Sequence, residues 1–265
     1  MTAKARALRD RWAAGRPAFG VWAALACPFA VELCAASGVD YVCVDQQHGV
    51  VGEQDLVGLM RAAEARGSVP MTRVPANRPW LIGKALDLGA QGVVVPLVSS
   101  PAEAEAAVAA CRYPPQGVRS FGPIRSSLTL GAHDLGTLGQ EVLCFVMVET
   151  RAGVEQVERI AATPGLDGIY VGPADLALGL GLAPDLDKTE PEHEAAVERI
   201  LRACRAAGIV AGIQCGSGRS ARRYADMGFR LVTFAKDSSV LQAAMRRELE
   251  GALGEVRPAA SGGYA

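Results

Sequence analysis

The stretch Ala35-Ala-Ser-Gly-Val-Asp-Tyr-Val-Cys-Val-Asp45, followed by Gln46-Gln-His-Gly49, decides how this chain is read. A helix-compatible run ends at Gly38, the residue type that most readily takes the left-handed position closing a helix. Tyr41 to Val44 then forms a run that is apolar on both sides of the pleat, as expected of a parallel strand covered by helices on both faces. The run stops at a carboxylate. The same unit recurs along the chain. Leu86-Asp-Leu-Gly89 leads to Val93-Val-Val-Pro96, Pro164-Gly165 to Ile169-Tyr-Val-Gly172, Ala206-Ala-Gly208 to Val210-Ala-Gly-Ile-Gln214, and Asp226-Met-Gly228 to Leu231-Val-Thr-Phe234.

Phe19-Gly-Val-Trp22, Pro70-Met-Thr-Arg73 and Leu143-Cys-Phe-Val-Met-Val148 bring the count to eight strands. Helical stretches are expected at 28–37, 53–66, 79–88, 101–112, 152–161, 190–207, 218–227 and 238–250. Pro28, Pro79 and Pro101 suit first turns, and Ser100 suits a cap. Eight alternations predict a single-domain (β/α)8 TIM barrel over residues 1–265, with 256–265 as a frayed tail. An open doubly wound sheet is the alternative, but no GxGxxG follows the first strand. The long segments Tyr113–Leu143 and Gly172–Thr189 are expected to form loops on the active rim.

Composition narrows the function classes. Of 265 residues, 50% are hydrophobic and 21% charged, with a net charge of −1, so disorder has no support and nucleic-acid binding little. No apolar run is long enough to span a bilayer, and the N-terminus lacks the apolar core of a secretory leader, so a cytoplasmic protein is expected. The seven cysteines show no CxxC spacing and read as reduced, mostly buried thiols.

In a barrel, the polar residues that end the strands face the site. In this chain they are Asp45 with His48, Arg73, Glu149, Asp175 in Gly172-Pro-Ala-Asp175, Gln214, and Lys236-Asp237. Glu149 and Asp175 suit a hard divalent ion, with pairing to Arg151 or Arg125 as the bland reading. Arg73 offers a planar fork for a carboxylate or 2-oxo acid, or else a rim salt bridge to Asp45 or Asp87. His48 could serve as acid/base if Asp45 held its ring. His133 and His193 look poorly placed, the latter in solvent on a first helical turn. Lys236 could form a Schiff base with a carbonyl, and Gly216-Ser-Gly218 could cradle an anion.

Across roughly residues 17–245 the chain resembles the HpcH/HpaI family of class II, metal-dependent pyruvate aldolases. The resemblance rests on Phe19–Trp22, Gly38–Asp45 through His48-Gly49, Arg73-Val-Pro75, Leu86–Pro96, Arg112-Tyr-Pro-Pro-Gln-Gly-Val-Arg-Ser120, Val148-Glu-Thr150 and Asp167–Leu176. It implies a (β/α)8 barrel assembled as a homo-hexamer with the last helix exchanged. It implies Glu149 and Asp175 as ligands of Mg²⁺, Mn²⁺ or Co²⁺, Arg73 on the 2-oxo acid, and His48 with Asp45 as acid/base. It also implies that Gly172, Pro173, Ala174 and Asp175 form a substrate-binding turn whose amides at 174 and 175 take the carboxylate. Pyruvate or another 2-oxo acid and an aldehyde would be its partners. Gln47 stands where the family often has Glu, and Met147 where it often has Gln. A malyl- or citryl-CoA type lyase and a non-catalytic 2-oxo-acid-binding barrel are the alternatives. The acceptor aldehyde is expected to be read by the loop around Arg119 to Ser127, with a neighbouring subunit as a further contributor.

Overall fold

The computed structural model describes residues 4–130, 138–139 and 141–254; His133 and the tail at 256–265 lie outside them. Eight parallel strands close into one barrel in sequence order. They are β1 (Ala18–Ala23), β2 (Tyr41–Asp45), β3 (Val69–Arg73), β4 (Gly92–Val95), β5 (Leu143–Val148), β6 (Gly168–Val171), β7 (Val210–Gln214) and β8 (Leu231–Lys236). The eight-strand expectation holds, and the doubly wound alternative falls.

Helices cover the outside: α2 (Pro28–Ala36), α3 (Leu56–Ala65), α4 (Pro79–Asp87), α5 (Pro101–Cys111), α6 (Ser126–Leu130), α7 (Arg151–Glu155), α8 (Val157–Ala161), α9 (Pro173–Gly179), α10 (Pro191–Ala207), α11 (Gly218–Met227) and α12 (Asp237–Leu253). One helix expected over 152–161 is broken at Gln156 into α7 and α8. Among the described residues no helix is long and apolar enough to cross a membrane.

Two layers of core follow from the strand period. Trp22, Tyr41, Cys43, Met71, Val94, Phe145, Met147 and Tyr170 fill the barrel interior. The alternate residues, such as Val93, Val95, Val146, Val148, Ile169 and Val171, pack under the helices. Five of the seven cysteines are buried and none is bridged.

A further helix, α1 (Lys4–Ala13), precedes β1 and has no counterpart among the expected elements. Ala5, Leu8 and Trp12 recur at helical spacing and seal the N-terminal mouth. The Ala5 amide donates to Gln91 Oε1 at 3.0 Å, and Trp12 lies edge-on to Phe145 at 5.9 Å.

The expectation for segment 113–143 needs correction. Arg119 donates to Asp87 at the end of α4, and the Arg125 amide donates to the Asp87 carbonyl. Its described first part, 113–130, therefore lies on the N-terminal rim, because a helix-to-strand connection returns the chain to where strands begin. The 172–189 segment does follow a strand, and its first part is the helix α9.

Candidate active site

Strand periodicity delivers the site. On β2 the interior residues are 41 and 43, so Asp45 arrives at the mouth in phase; on β3 Val69 and Met71 put Arg73 there. On β5 the run Leu143, Phe145, Met147 leads to Glu149 one step past the strand. A cavity of about 560 Å³ opens at this mouth. Its walls include Asp45, His48, Arg73, Glu149, Gly172, Pro173, Ala174 and Asp175, the residues expected from the sequence to hold the metal and the 2-oxo acid and to move the proton. Trp22, Leu178, Pro184, Leu186, Gln214 and Lys236 complete much of the lining.

Arg73 is only 6% exposed and Asp45 only 3%. Nε–H and Nη2–H of Arg73 donate to Oδ1 and Oδ2 of Asp45 at 2.9 and 2.6 Å, and the guanidinium lies 5.2 Å from the Trp22 ring centre. The salt bridge weighed from sequence therefore forms, and it forms in the interior. It fixes the guanidinium while leaving further N–H groups of its five for a ligand. Burial alone would raise the Asp45 carboxyl, but the Arg73 hydrogen bonds and charge, with the His48 amide, hold it below the usual carboxylate range.

Asp45 does not hold the His48 ring as expected. Its Oδ1 accepts the amides of Gln47 at 3.1 Å and His48 at 3.2 Å, so it shapes the loop that carries the imidazole. Gly49 lets this loop fold tightly: a Cβ there would meet the Asp45 carbonyl oxygen at 2.3 Å.

Glu149 is buried and only half compensated. Its Oε1 accepts the Leu97 amide at 2.8 Å, whereas Oε2 is buried with no hydrogen-bond partner. Burial pushes its carboxyl up to about 7, and the Asp175 charge pushes the same way, against the Leu97 amide and Arg73. Gly172 gives Oε2 its room, since a Cβ there would lie 2.3 Å from it. Neither arginine weighed as a structural partner for the acids is used so: Arg151 pairs with Glu192 and Arg125 with Glu64. Two carboxylates facing one cavity, one with an unused oxygen, are a donor set that suits a hard divalent cation. Among the described residues no three His, Cys, Asp or Glu side chains gather, so water and ligand would complete the sphere.

Two supporting residues escape a reading of the sequence. Leu97, with φ of 58°, is the non-glycine residue in the left-handed region among those described. That conformation costs roughly 1–2 kcal/mol and aims its amide at Glu149. His193, expected in solvent, is fully buried, and its Nε2 bonds the Pro173 carbonyl at 3.0 Å, bracing the turn that carries Asp175. Burial holds this imidazole below its usual pKa, in the neutral form that donates.

Two other regions are placed differently from the sequence reading within this chain. The Gly216-Ser217 turn is filled by the protein's own Asp187, which accepts the Gly216 amide at 2.8 Å and the Ser217 hydroxyl at 3.0 Å. No residue between 119 and 127 lines the cavity of its own chain.

A family model for the HpcH/HpaI aldolase/citrate lyase proteins matches residues 18–244. A hydroxypyruvate/pyruvate aldolase of Rhizorhabdus wittichii is 38% identical over 92% of this chain and 98% of its own. A 4-hydroxy-2-oxo-heptane-1,7-dioate aldolase of Salmonella paratyphi A is 35% identical over 89% of this chain and 90% of its own. The crystal structure of an HpcH/HpaI aldolase/citrate lyase family protein from Burkholderia cenocepacia superposes with a TM-score of 0.86 at 36% identity, covering 95% of this chain and 99% of that one.

Proposed function

The chain belongs to the HpcH/HpaI aldolase/citrate lyase family, and on that footing we propose that it is a class II pyruvate aldolase, a carbon–carbon lyase. It cleaves a 4-hydroxy-2-oxo acid reversibly to pyruvate and an aldehyde. The observation that carries this reading is the buried, unpartnered Glu149 Oε2 in the same cavity as Asp175, Arg73 and His48.

Glu149 and Asp175 would hold a divalent ion such as Mg²⁺, Mn²⁺ or Co²⁺. When bound, that ion polarises a 2-oxo group and stabilises negative charge developing beside it. The first-turn amides of Ala174 and Asp175, which have no partner within the helix, take the substrate carboxylate. Arg73, fixed by Asp45, donates to the C2 oxygen, where charge grows in the transition state. His48 accepts the proton of the C4 hydroxyl. The C3–C4 bond breaks, its electron pair remains with C3, and C4 leaves as the aldehyde. Return of that proton from His48 to C3 then yields pyruvate and restores the base. Trp22, Leu178 and Leu186 line the remaining wall and exclude water.

The catalytic unit is one domain, assembled as a homo-hexamer in the cytoplasm. Leu241, Met245, Leu249 and Leu253 are exposed along one stripe of α12, which supports assembly. Deuterium uptake into the methyl group of pyruvate, measured by NMR with each divalent ion, tests the reading. Uptake should depend on the ion and fall at least 100-fold in Arg73→Ala; no uptake with any ion contradicts it.

A further inference from the structure

We propose that Asp237 is a positioning residue for His48: from the start of α12 it holds, through the first residues after β1, the loop that carries the base. This rests on the aldolase reading and extends it to how the base is kept in place.

The first observation is the way the base is mounted. His48 sits in a loop, 46–52, with no helix or strand of its own. A base on a loop keeps its geometry only where the chain is fixed on both sides of it. On the N-terminal side Asp45 does this, by accepting the amides of Gln47 and His48. On the C-terminal side the Val50 amide donates to the Ala24 carbonyl at 2.9 Å. Gly49 packs so closely there that a Cβ would lie 3.0 Å from the Ala24 carbonyl oxygen and 3.1 Å from its Cα. The second anchor is therefore only as firm as Ala24, which lies one residue past the end of β1.

The second observation is what fixes Ala24. Asp237 Oδ1 accepts the Ala24 amide at 2.9 Å, and its Oδ2 accepts the Leu25 amide at 3.2 Å. Oδ1 also accepts the Ser238 amide at 2.7 Å, which pins the carboxylate to the first turn of α12, where the helix dipole favours negative charge. The carboxylate is buried, so it is backbone amides that satisfy it, through charge-assisted hydrogen bonds. Ala24, Leu25, His48, Gly49, Val50 and Ser238 all line the cavity, so the whole relay runs along its wall.

A fault in the sheet sets the relay up. Gly20 pairs with Thr233, but Val21 pairs with Ala235 and Trp22 with Lys236, so the register slips by one residue. Leu231 and Thr233 face the barrel interior, where the Tyr41 and Tyr170 hydroxyls bond Thr233 at 2.8 and 2.6 Å. Without the slip, positions 235 and 237 would face inward. With it, Lys236 shares the phase of Trp22 and lines the cavity, and Asp237 turns to the loop that leaves β1. Bulges re-aim side chains in this way and concentrate beside active sites.

The test begins with Asp237→Ala. It should lower kcat for retro-aldol cleavage of a 4-hydroxy-2-oxo acid about tenfold or more, since a catalytic group displaced by about 1 Å can cost about 100-fold. KM should change less than twofold, because Glu149, Asp175 and Arg73 keep their places. Asp237→Asn, which retains an acceptor for the Ala24 amide, should recover part of the rate. In a His48→Ala background, adding Asp237→Ala should cost less than twofold further. NMR of the histidine rings should show the His48 signals, identified by their loss in His48→Ala, shifted in Asp237→Ala while those of His193 stay in place. Melting temperatures establish folding; if Asp237→Ala does not fold, the same comparisons are read in Asp237→Asn. Unmoved His48 signals, a loss confined to KM, a fully active His48→Ala, or an equal loss in the His48→Ala background each overturn the positioning role, while wild-type methyl exchange preserves the aldolase reading. Absent exchange in the wild type overturns both.

Discussion

The two mouths of the barrel treat their carboxylates differently. At the N-terminal mouth Asp167 accepts Arg9 at 2.8 Å and the Cys144 amide at 2.8 Å, and Asp40 accepts the Phe19 amide beside Arg11. Each of these two acids ties a strand start to an arginine, with a partner on both oxygens. At the C-terminal mouth Asp45 is satisfied in the same manner, by Arg73 and two loop amides. Glu149 is not. It keeps one oxygen buried and unpaired, and it obtains its single hydrogen bond from a backbone amide held in a costly conformation. A buried carboxylate oxygen left open in the wall of a cavity, beside a second acid, is a place for something that binds oxygen.

The sharpest way to break this contrast is to neutralise the open acid. Glu149→Gln keeps the shape and removes the charge. Pyruvate methyl exchange should fall about 1,000-fold, equivalent to about 4 kcal/mol, while the metal-free protein melts higher than wild type. A variant that exchanges normally would place the chemistry elsewhere.

Next is the closed acid. Asp45→Asn leaves the Arg73 charge buried without its partner, so denaturant titration should show a loss of roughly 3 kcal/mol. Unlike Glu149→Gln, this variant should lose stability and activity together.

The third effect is the pH dependence of the metal-free protein. Folded Glu149 holds its proton up to about pH 7, above the 4.5 of an ordinary glutamate. The stability this contributes is complete below pH 4.5 and is lost as the pH rises through 7, a span of about 3 kcal/mol. Denaturant titrations between pH 5 and 8 should show the decline, a saturating divalent ion should offset it, and Glu149→Gln should abolish it.

The smallest effect concerns the residue that supplies the amide. Leu97→Gly relieves the left-handed strain but adds backbone freedom to the unfolded chain, for a net gain of about 1 kcal/mol or less. A calorimetric melt that falls instead would mean the exposed leucine side chain contributes contacts that matter.

What is legible in the sequence follows from locality. Strand ends, rim acids and the barrel itself are readable because period two and the glycine stops are properties of short stretches. Asp45 and Glu149 each sit one step beyond an apolar run and Arg73 ends a short strand, so their convergence can be anticipated. Leu97 cannot be, because its conformation is set by a carboxylate 52 residues away. His193 misleads for the same reason: its partner is a carbonyl 20 residues back, and a first-turn position normally means solvent. The slip that turns Lys236 inward has no local signal either. The misplacement of segment 113–143 and the omission of α1 are different in kind. Chain direction and the spacing of Ala5, Leu8 and Trp12 carry both answers.

The central claim is that Glu149 and Asp175 together hold a divalent cation. Manganese titration followed by electron paramagnetic resonance tests it directly. One ion per chain should bind to the wild type, and the signal should change again when pyruvate is added. Glu149→Gln and Asp175→Asn should each lose the site. Wild-type affinity retained in both variants, or no manganese bound by the wild type at all, would contradict it.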